Sequence, residues 1–320
     1  MTTILITGVG GFAGSHLAEF LLQQHPQCAL HGILRDAEKT ENIRSFADRI
    51  QLHKCDIVDF QSVFTVLKEV KPDVIFHLAG QAFVPSSFER TAETFSINVI
   101  GAINIFEAVK ACDITPRILI TTSGEIYGDA DGLPLHTEAT VPRPVNPYAA
   151  SKTSIDYIAQ TYRSFEGLDI IIARPFNHTG PRQKPSFVCS SLARQIAVNI
   201  KQKKEPVLHV GNIKARRDFT DVRDVVRGYW MISQTHDEKH FIFNVCSGNI
   251  FSIEEIIHLY EEISGIKFSL DVEPKRLRGY DIQLLAGKAD LLREETGWQS
   301  TIPFRQTLAD LLAYWMEKKE

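Results

Sequence analysis

A short apolar strand that runs directly into clustered glycines restricts the fold of this chain more than any other feature. Thr3–Thr7 reads Thr-Ile-Leu-Ile-Thr, the composition of a strand buried on both faces. Gly8, Gly11 and Gly14 follow with the spacing G-x-x-G-x-x-G, and the apolar pattern of Ser15–Gln24 predicts a helix. Glycines let the backbone turn sharply and approach a pyrophosphate, which the free N–H groups of a helix N-terminus attract. The segment predicts a nucleotide-binding strand–loop–helix unit, with a tight turn that binds nothing as the alternative.

Strands and helices continue to alternate as far as Arg174. Further strands are predicted over Ala29–Leu34, Gln51–Cys55, Val74–Leu78, Arg117–Thr122 and Asp169–Arg174, and further helices over Phe60–Val70, Thr91–Cys112 and Pro147–Phe165. Such alternation is typical of α/β proteins with a parallel sheet. We therefore predict a Rossmann-type doubly wound parallel sheet.

The regular pattern weakens after Arg174. An irregular stretch over Asn177–Pro185 precedes a predicted helix over Ser190–Lys203, and Phe219–Trp230 and Ile242–Val245 suggest a return to the sheet. Two more helices are expected near Ser252–Ser264 and Pro303–Trp315. We predict that residues 1–175, with returns near 219–248, bind the nucleotide. Residues 176–218 and 249–320 would form a smaller α/β lobe for the substrate.

Composition excludes several other classes. The 320 residues are 44% hydrophobic with a net charge of -4, which does not suggest a nucleic-acid or membrane surface. The five cysteines are scattered without a C-x-x-C pair, so we predict neither a metal site nor disulfides. The first strand begins too early to leave room for a signal peptide, and apolar runs stay below the roughly 20 residues that span a bilayer. We expect a soluble cytoplasmic protein.

A tyrosine and a lysine four residues apart indicate acid–base chemistry. Tyr148 and Lys152 would lie on one face of a helix that begins at Pro147. An ammonium group favours phenolate over phenol, so we expect the tyrosine pKa to fall below its usual value of about 10. A tyrosine tuned in this way can exchange protons near neutral pH. A surface aromatic residue at a helix start is the alternative.

The ends of the second to fourth strands carry candidate contacts for a dinucleotide. Arg35 can pair with a 2′-phosphate, whereas Asp36 can hold a ribose hydroxyl, and we favour NADP(H) while NAD(H) stays open. Asp56 can contact adenine or cap a loop. The small residues of Leu78–Gly80 can let a cofactor pass or pack a loop, and Asn98 can bridge backbone segments.

Together these motifs resemble those of the extended short-chain dehydrogenase/reductases that modify nucleotide sugars. The resemblance spans nearly the whole chain and is carried by Thr7–Gly14, Asp56, His77–Gly80, Asn98, Ser123–Gly128, Tyr148–Lys152, Arg174–Asn177 and Arg217–Asp224. It implies that Tyr148 is the general acid or base, that Lys152 holds the nicotinamide ribose and that Ser123 hydrogen-bonds the reacting oxygen. It also implies a cofactor site made by Gly8, Gly11, Phe12, Gly14, Arg35, Asp56, Ile57, Leu78, Ala79, Gly80, Asn98, Tyr148 and Lys152.

Glu125 leaves the reaction open. In the family's 4,6-dehydratases a glutamate at this position removes the C5 proton, and the glucose-type enzymes place an aspartate just before it. Here that place is Gly124, which argues against the glucose type. The resemblance also covers reductases and decarboxylases that keep the glutamate. A polar contact beside the nicotinamide is the alternative role for Glu125.

Four segments of the predicted substrate lobe carry a closer resemblance: Asn177–Pro181, Phe187-Val188, Val210–Asn212 and Arg216–Asp224. They resemble segments of the reductases that act on GDP-4-keto-6-deoxymannose. The resemblance implies substrate contacts by Asn177, Val188, Arg217 and Arg278. Guanidinium groups suit a diphosphate, although an arginine in a surface ion pair is the alternative. The lobe departs from the reductase pattern at Arg278–Asp281, where Arg-Pro-x-Glu is usual. We favour reduction of the C4 ketone of a GDP-linked deoxyhexulose.

Other readings stay open. A GDP-mannose 4,6-dehydratase, another nucleotide-sugar epimerase or dehydratase, and a non-catalytic NADP(H) sensor are the alternatives. The resemblance also implies a homodimer that packs through the helix of Tyr148 and the long helix before the fifth strand.

Overall fold

The computed structural model describes residues 1–36, 40–132, 134–235, 239–274 and 282–318. The strands are β1 (Thr3–Thr7), β2 (Ala29–Leu34), β3 (Gln51–Lys54), β4 (Val74–His77), β5 (Arg117–Thr121), β6 (Ile170–Pro175), β7 (Asn177–Thr179), β8 (Val207–Val210), β9 (Arg216–Asp221), β10 (Ile242–Val245), β11 (Ile250–Ser252), β12 (Ser269–Val272) and β13 (Leu284–Leu285). The α-helices are α1 (Phe12–Gln24), α2 (Phe60–Val70), α3 (Val84–Glu89), α4 (Thr91–Phe95), α5 (Gly101–Ala111), α6 (Pro147–Glu166), α7 (Val188–Gln202), α8 (Val222–Ser233), α9 (Ile253–Ser264), α10 (Asp290–Thr296) and α11 (Phe304–Glu317). Short 3₁₀ turns span Glu41–Ile43, Ala47–Arg49 and Gly124–Tyr127.

The large sheet confirms the predicted doubly wound fold. Its seven strands are parallel in the order β10-β6-β5-β4-β1-β2-β3. The strand order reverses at β1, which lies between β4 and β2, and ligands of such sheets bind beside the carboxyl ends of the strands at this point. Ile4 and Ile6 belong to one buried apolar cluster and Leu5 to the other, so both faces of β1 are covered. This double burial explains the unbroken apolar run of the first strand.

A second, smaller part of the fold contains a four-stranded sheet. Strands β11, β9 and β13 form a path, and β7 pairs in parallel with β9. Helices α7, α9 and α11 pack around a separate apolar cluster that includes Leu192, Ile256 and Leu308. Strands β8 and β12 form a two-stranded parallel sheet.

Three local predictions are wrong. The stretch after Arg174 is not wholly irregular, because β7 pairs with the distant β9. Strand β9, which contains Phe219, belongs to the smaller sheet. The chain therefore returns to the large sheet after Phe219, when α8 packs against it and β10 joins it. The long helix predicted over Thr91–Cys112 is divided by a π-helical turn at Ser96–Ile100. The lobe boundaries at residues 175, 218 and 248 stay a prediction.

A buried ion pair fixes α6 to the end of β6. The guanidinium of Arg174 donates two hydrogen bonds to the Asp156 carboxylate, at 2.8 and 2.7 Å, and both side chains are almost fully buried. It also donates to the hydroxyl of Tyr127 at 2.8 Å, while Thr122 donates to Asp156. Asp156 lies eight residues after Tyr148 on α6, so the stripe of Tyr148, Lys152 and Asp156 faces the sheet.

No helix in the described parts of the chain combines the length and apolarity required to cross a membrane.

We predict that Arg174→Met destabilises the protein strongly. Removal of one partner leaves the Asp156 carboxylate buried without its counter-ion, which costs about 3–5 kcal/mol. Urea denaturation of wild type and variant measures the loss. Arg293→Ala is the matched control, because Arg293 and Asp290 form an exposed pair and such pairs contribute about 0–1 kcal/mol. Equal losses for the two variants would contradict the prediction.

Candidate active site

Two glycines of the loop stand where any side chain would collide with the backbone. Gly8 has a φ of 71°, and a Cβ atom there would lie 2.9 Å from the Cα of Ala79. A Cβ atom at Gly14 would lie 2.3 Å from the carbonyl oxygen of Gly8. Helix α1 starts at Phe12, so Gly14 lies in its first turn, and Gly11 at its N-cap offers no side chain to its first N–H groups. The loop therefore folds tightly below a helix N-terminus whose N–H groups are the donors that a pyrophosphate requires.

The end of β4 is held against this loop by Thr7. The Ala79 N–H donates to the Thr7 hydroxyl oxygen at 3.0 Å, and the same hydroxyl shares a hydrogen bond with Nδ1 of His77 at 2.9 Å. Burial, together with the charge of Lys152, lowers the pKa of His77 to about 3. His77 is therefore neutral and structural, and it keeps Leu78–Gly80 close to Gly8.

The structure places the other predicted cofactor residues around the same edge. Arg35 is exposed directly after β2, and Ile57 is buried. Asp56 is exposed and its Oδ1 accepts from the Val58 N–H at 3.0 Å, the loop-capping role that the sequence left open. The Asn98 amide accepts from the Gln81 N–H at 2.8 Å and donates to the Ser151 hydroxyl at 2.9 Å, which confirms a bridging role. Their contacts with a cofactor stay predictions.

The predicted catalytic side chains converge where β5 and α6 meet. Ser123 follows β5, and its hydroxyl oxygen accepts from the Glu125 N–H at 3.1 Å. Tyr148 lies in the first turn of α6, where its N–H donates to the Ser87 hydroxyl at 3.1 Å. Lys152 lies one turn further on, and its Nζ donates to the Thr121 carbonyl at 2.9 Å. All three side chains are buried.

The expected direction of the Tyr148 pKa shift is wrong. Burial raises the pKa of Tyr148, the neighbouring Ser123 hydroxyl lowers it and the charge of Glu125 raises it further. Burial also lowers the pKa of Lys152 to about 8. Desolvation penalises the charged form of both groups and is the largest influence on the pKa of the phenol. Tyr148 is therefore protonated at neutral pH.

Gly124 and Glu125 are each constrained by a neighbour that the sequence did not reveal. A Cβ atom at Gly124 would lie 2.8 Å from the ring of Phe176, so the ring occupies the place of any acid at this position. The Glu125 carboxylate accepts from the side-chain amide of Asn146 at 2.9 Å. Asn146 caps α6, and its position before Pro147 is the one signal that could have identified it.

The candidate substrate residues lie on the smaller part of the fold. Asn177 is in β7, and its Oδ1 is buried without a hydrogen-bond partner in the described ranges. Val188 is the exposed first residue of α7. Arg217 is in β9 and donates to the Arg216 carbonyl. Arg278 and Asp281 lie outside the described residues.

The loop and the substrate strand touch directly. The ring of Phe12 stacks on His178 with centroids 5.8 Å apart. His178 donates from Nδ1 to the Phe176 carbonyl at 3.0 Å, and burial lowers its pKa, so it is a structural histidine. A residue at the start of the phosphate loop helix thus supports the strand that carries Asn177.

This sheet and this set of side chains define an extended short-chain dehydrogenase/reductase. The model of the family described as GDP-mannose 4,6 dehydratase matches residues 5–311, and the chain belongs to that family.

Two relatives are named for two different activities, reduction and dehydration. The chain is 35% identical over 314 residues to the GDP-6-deoxy-D-mannose reductase of Pseudomonas aeruginosa, with 98% of this chain and 96% of the relative covered. It is 28% identical over 356 residues to a GDP-mannose 4,6-dehydratase of Vibrio cholerae, with 99% and 94% covered.

Solved structures confirm the fold. The structure of RMD from Pseudomonas aeruginosa complexed with NADPH has a TM-score of 0.85 at 33% identity and 99% coverage of both chains. A UDP-glucose 4-epimerase of Thermus thermophilus in complex with NAD has a TM-score of 0.88 at 25% identity, again with 99% of both chains covered.

We predict that Lys152→Met changes the pH dependence of stability. Lys152 releases its proton near pH 8 in the folded state but near 10.5 when unfolded, so the unfolded state binds more protons between these values. The unfolding free energy of wild type therefore gains up to about 3 kcal/mol relative to the variant as pH rises through this window. Urea denaturation at several pH values measures the difference. Parallel pH profiles would contradict the lowered lysine pKa.

Proposed function

We propose that this protein uses NADPH to reduce the C4 ketone of a GDP-4-keto-6-deoxyhexose to GDP-D-rhamnose or its C4 epimer. The observation that carries the proposal is the buried, protonated Tyr148 beside Ser123, with Lys152 on the same helix face. Ketone reduction leaves an alkoxide that requires a proton donor. The Tyr148 phenol is protonated at neutral pH, and its position beside the Ser123 hydroxyl places it to supply that proton.

The glycine loop fits a dinucleotide, because it folds tightly against its own backbone and ends in exposed Gly11 at the N-terminus of α1. Gly8, Gly11 and Gly14 would hold the pyrophosphate, and exposed Arg35 would pair with a 2′-phosphate. Lys152 would bind the nicotinamide ribose. When bound, the reduced nicotinamide supplies the hydride.

The protein's own side chains handle the proton. The Tyr148 hydroxyl donates its proton to O4 of the sugar, and the Ser123 hydroxyl donates a hydrogen bond to the same oxygen. The resulting phenolate is stabilised by Ser123 and by the Lys152 ammonium, which favour the charged form. Asn177, Val188, Arg217 and Arg278 would hold the nucleotide diphosphate, and the preference for guanine rests on the named relatives.

A 4,6-dehydratase with tightly bound NADP is the second candidate. It is supported by the family description and by Glu125, which would take the C5 proton. Dehydration begins with oxidation at C4, so Tyr148 would first have to act as a base. Burial disfavours the phenolate in either direction of the reaction, so the response to added reductant distinguishes the two candidates.

A homodimer also belongs to the proposal. Of the isoleucines that could form core or interface, Ile105 and Ile155 are fully buried within the subunit. Ile100 is 46% exposed and Tyr157 51% exposed, so these side chains are available at a helix-to-helix interface.

The two candidate reactions predict opposite responses to reductant. With a GDP-4-keto-6-deoxyhexose we expect NADPH oxidation and a deoxyhexose product. With GDP-mannose alone we expect no 4-keto-6-deoxy product. Absorbance at the dihydronicotinamide band and chromatography of the sugar nucleotides measure both arms. Conversion of GDP-mannose without added reductant would overturn the reductase proposal in favour of the dehydratase.

We predict that Tyr148→Phe lowers kcat by about 10²–10⁴-fold, the usual contribution of a positioned acid or base. NADPH affinity, measured by titration, should change little because the ring remains. Tyr314→Phe is the matched control, because Tyr314 lies on α11 in the smaller part of the fold and outside the candidate site. Retention of near-normal kcat in Tyr148→Phe would exclude the phenol as the proton donor.

A further inference from the structure

We propose that Asn146 is a positioning residue that joins the Ser123–Glu125 turn to helix α6, and that Glu125 serves as its acceptor and not as a proton-abstracting base. The inference rests on the proposed reductase function and deepens it. It assigns a role to Glu125, an acidic side chain that reduction does not require.

Asn146 connects two elements because its amide has two different ends. The Nδ2 group donates to Oε2 of Glu125 at 2.9 Å, and Oδ1 accepts from the Ala149 N–H at 2.7 Å. The second bond is the N-cap of α6. An aspartate can replace the acceptor but not the donor, so asparagine suits both contacts.

These bonds form part of a closed ring around the reacting groups. From the end of β5, the Ser123 hydroxyl accepts from the Glu125 N–H, and the Glu125 carboxylate accepts from Asn146. Helix α6 follows, and its Lys152 Nζ donates back to the Thr121 carbonyl of β5. Ser123 and Tyr148 lie within this ring, so their mutual position depends on each of its bonds.

The hydrogen bond from Asn146 to Glu125, which we call the tether, also limits what Glu125 can do as a base. A carboxylate that accepts from Asn146 has one oxygen committed and a fixed orientation. Its negative charge raises the pKa of Tyr148, so the orientation of the carboxylate relative to the phenol affects the acid. By holding that orientation, Asn146 gives Glu125 a structural role that needs no proton transfer of its own.

Exchanging the hydrogen-bond donor and acceptor between residues 146 and 125 tests the proposal. Asn146→Asp keeps the cap but places a second carboxylate against Glu125. We expect kcat for ketone reduction to fall at least tenfold, with the KM for NADPH little changed. Glu125→Gln alone should reduce kcat by only a few-fold, because its amide oxygen can still accept from Asn146. In the double variant the new amide at position 125 can donate to the new carboxylate at position 146, and kcat should recover to within a few-fold of the Glu125→Gln value.

The outcomes separate positioning from base catalysis. If Glu125→Gln is as inactive as Asn146→Asp and the double variant does not recover, Glu125 acts as a base and the proposal is overturned. Ser252→Ala, which removes the cap of α9 in the smaller part of the fold, controls for a general loss of stability, and its kcat should stay normal.

The tether can be measured without substrate. A double-mutant cycle on the unfolding free energies of the same four proteins should show coupling between residues 125 and 146. Absence of coupling overturns the tether even where reductase activity is present. If wild type has no reductase activity, only the proposed function is refuted. The coupling of the unfolding free energies then shows whether the Asn146–Glu125 hydrogen bond exists.

Discussion

The buried ion pair between Arg174 and Asp156 is the interaction on which the site depends. It joins the carboxyl end of β6 to the third turn of α6, and Tyr127 and Thr122 complete the polar network. A charge pair in an apolar interior tolerates little misalignment, because each partner is costly to bury without the other. The pair therefore sets the rotation of α6 about its axis. Since Asp156, Lys152 and Tyr148 share one face, the same contact directs the candidate acid towards the sheet edge.

A second set of contacts connects the glycine loop with the substrate strand. Arg182 donates to Nδ1 of His16 at 2.9 Å, which leaves the His16 Nε2–H to donate to the Pro181 carbonyl at 2.8 Å. Burial and Arg182 lower the pKa of His16 to about 3, so this arrangement does not change with protonation in the physiological range. With the stacking of Phe12 on His178, these bonds fix the start of α1 against the segment that follows β7. The candidate cofactor site and the candidate substrate site are therefore joined by these contacts.

The chemistry of the site is decided by neighbours of the common catalytic residues. Tyr148, Lys152 and Ser123 suit reduction, dehydration and epimerisation alike. Burial keeps the phenol protonated, the ring of Phe176 closes the space beside Gly124, and Asn146 holds Glu125. The last two constraints bear on the proposal: no acid fits at position 124, and the Glu125 carboxylate has a hydrogen-bond donor that holds it. They are consistent with a reductase, in which neither position has to transfer a proton.

The sequence alone determined the parallel sheet, the glycine loop and the placing of Tyr148 and Lys152 on one helix face, because these follow from local patterns of glycine, apolar residues and spacing. Family membership followed from the same motifs. The sequence could not determine the pairing of β7 with β9 or the hydrogen bond from Asn146 to Glu125, because each joins residues far apart in the chain. It could not determine the π-helical turn that contains Asn98, because that turn departs from the regular helical period. It also misjudged the Tyr148 pKa. Spacing reveals the nearby lysine, but only the tertiary structure fixes how much water is excluded, and desolvation is the larger effect on the phenol.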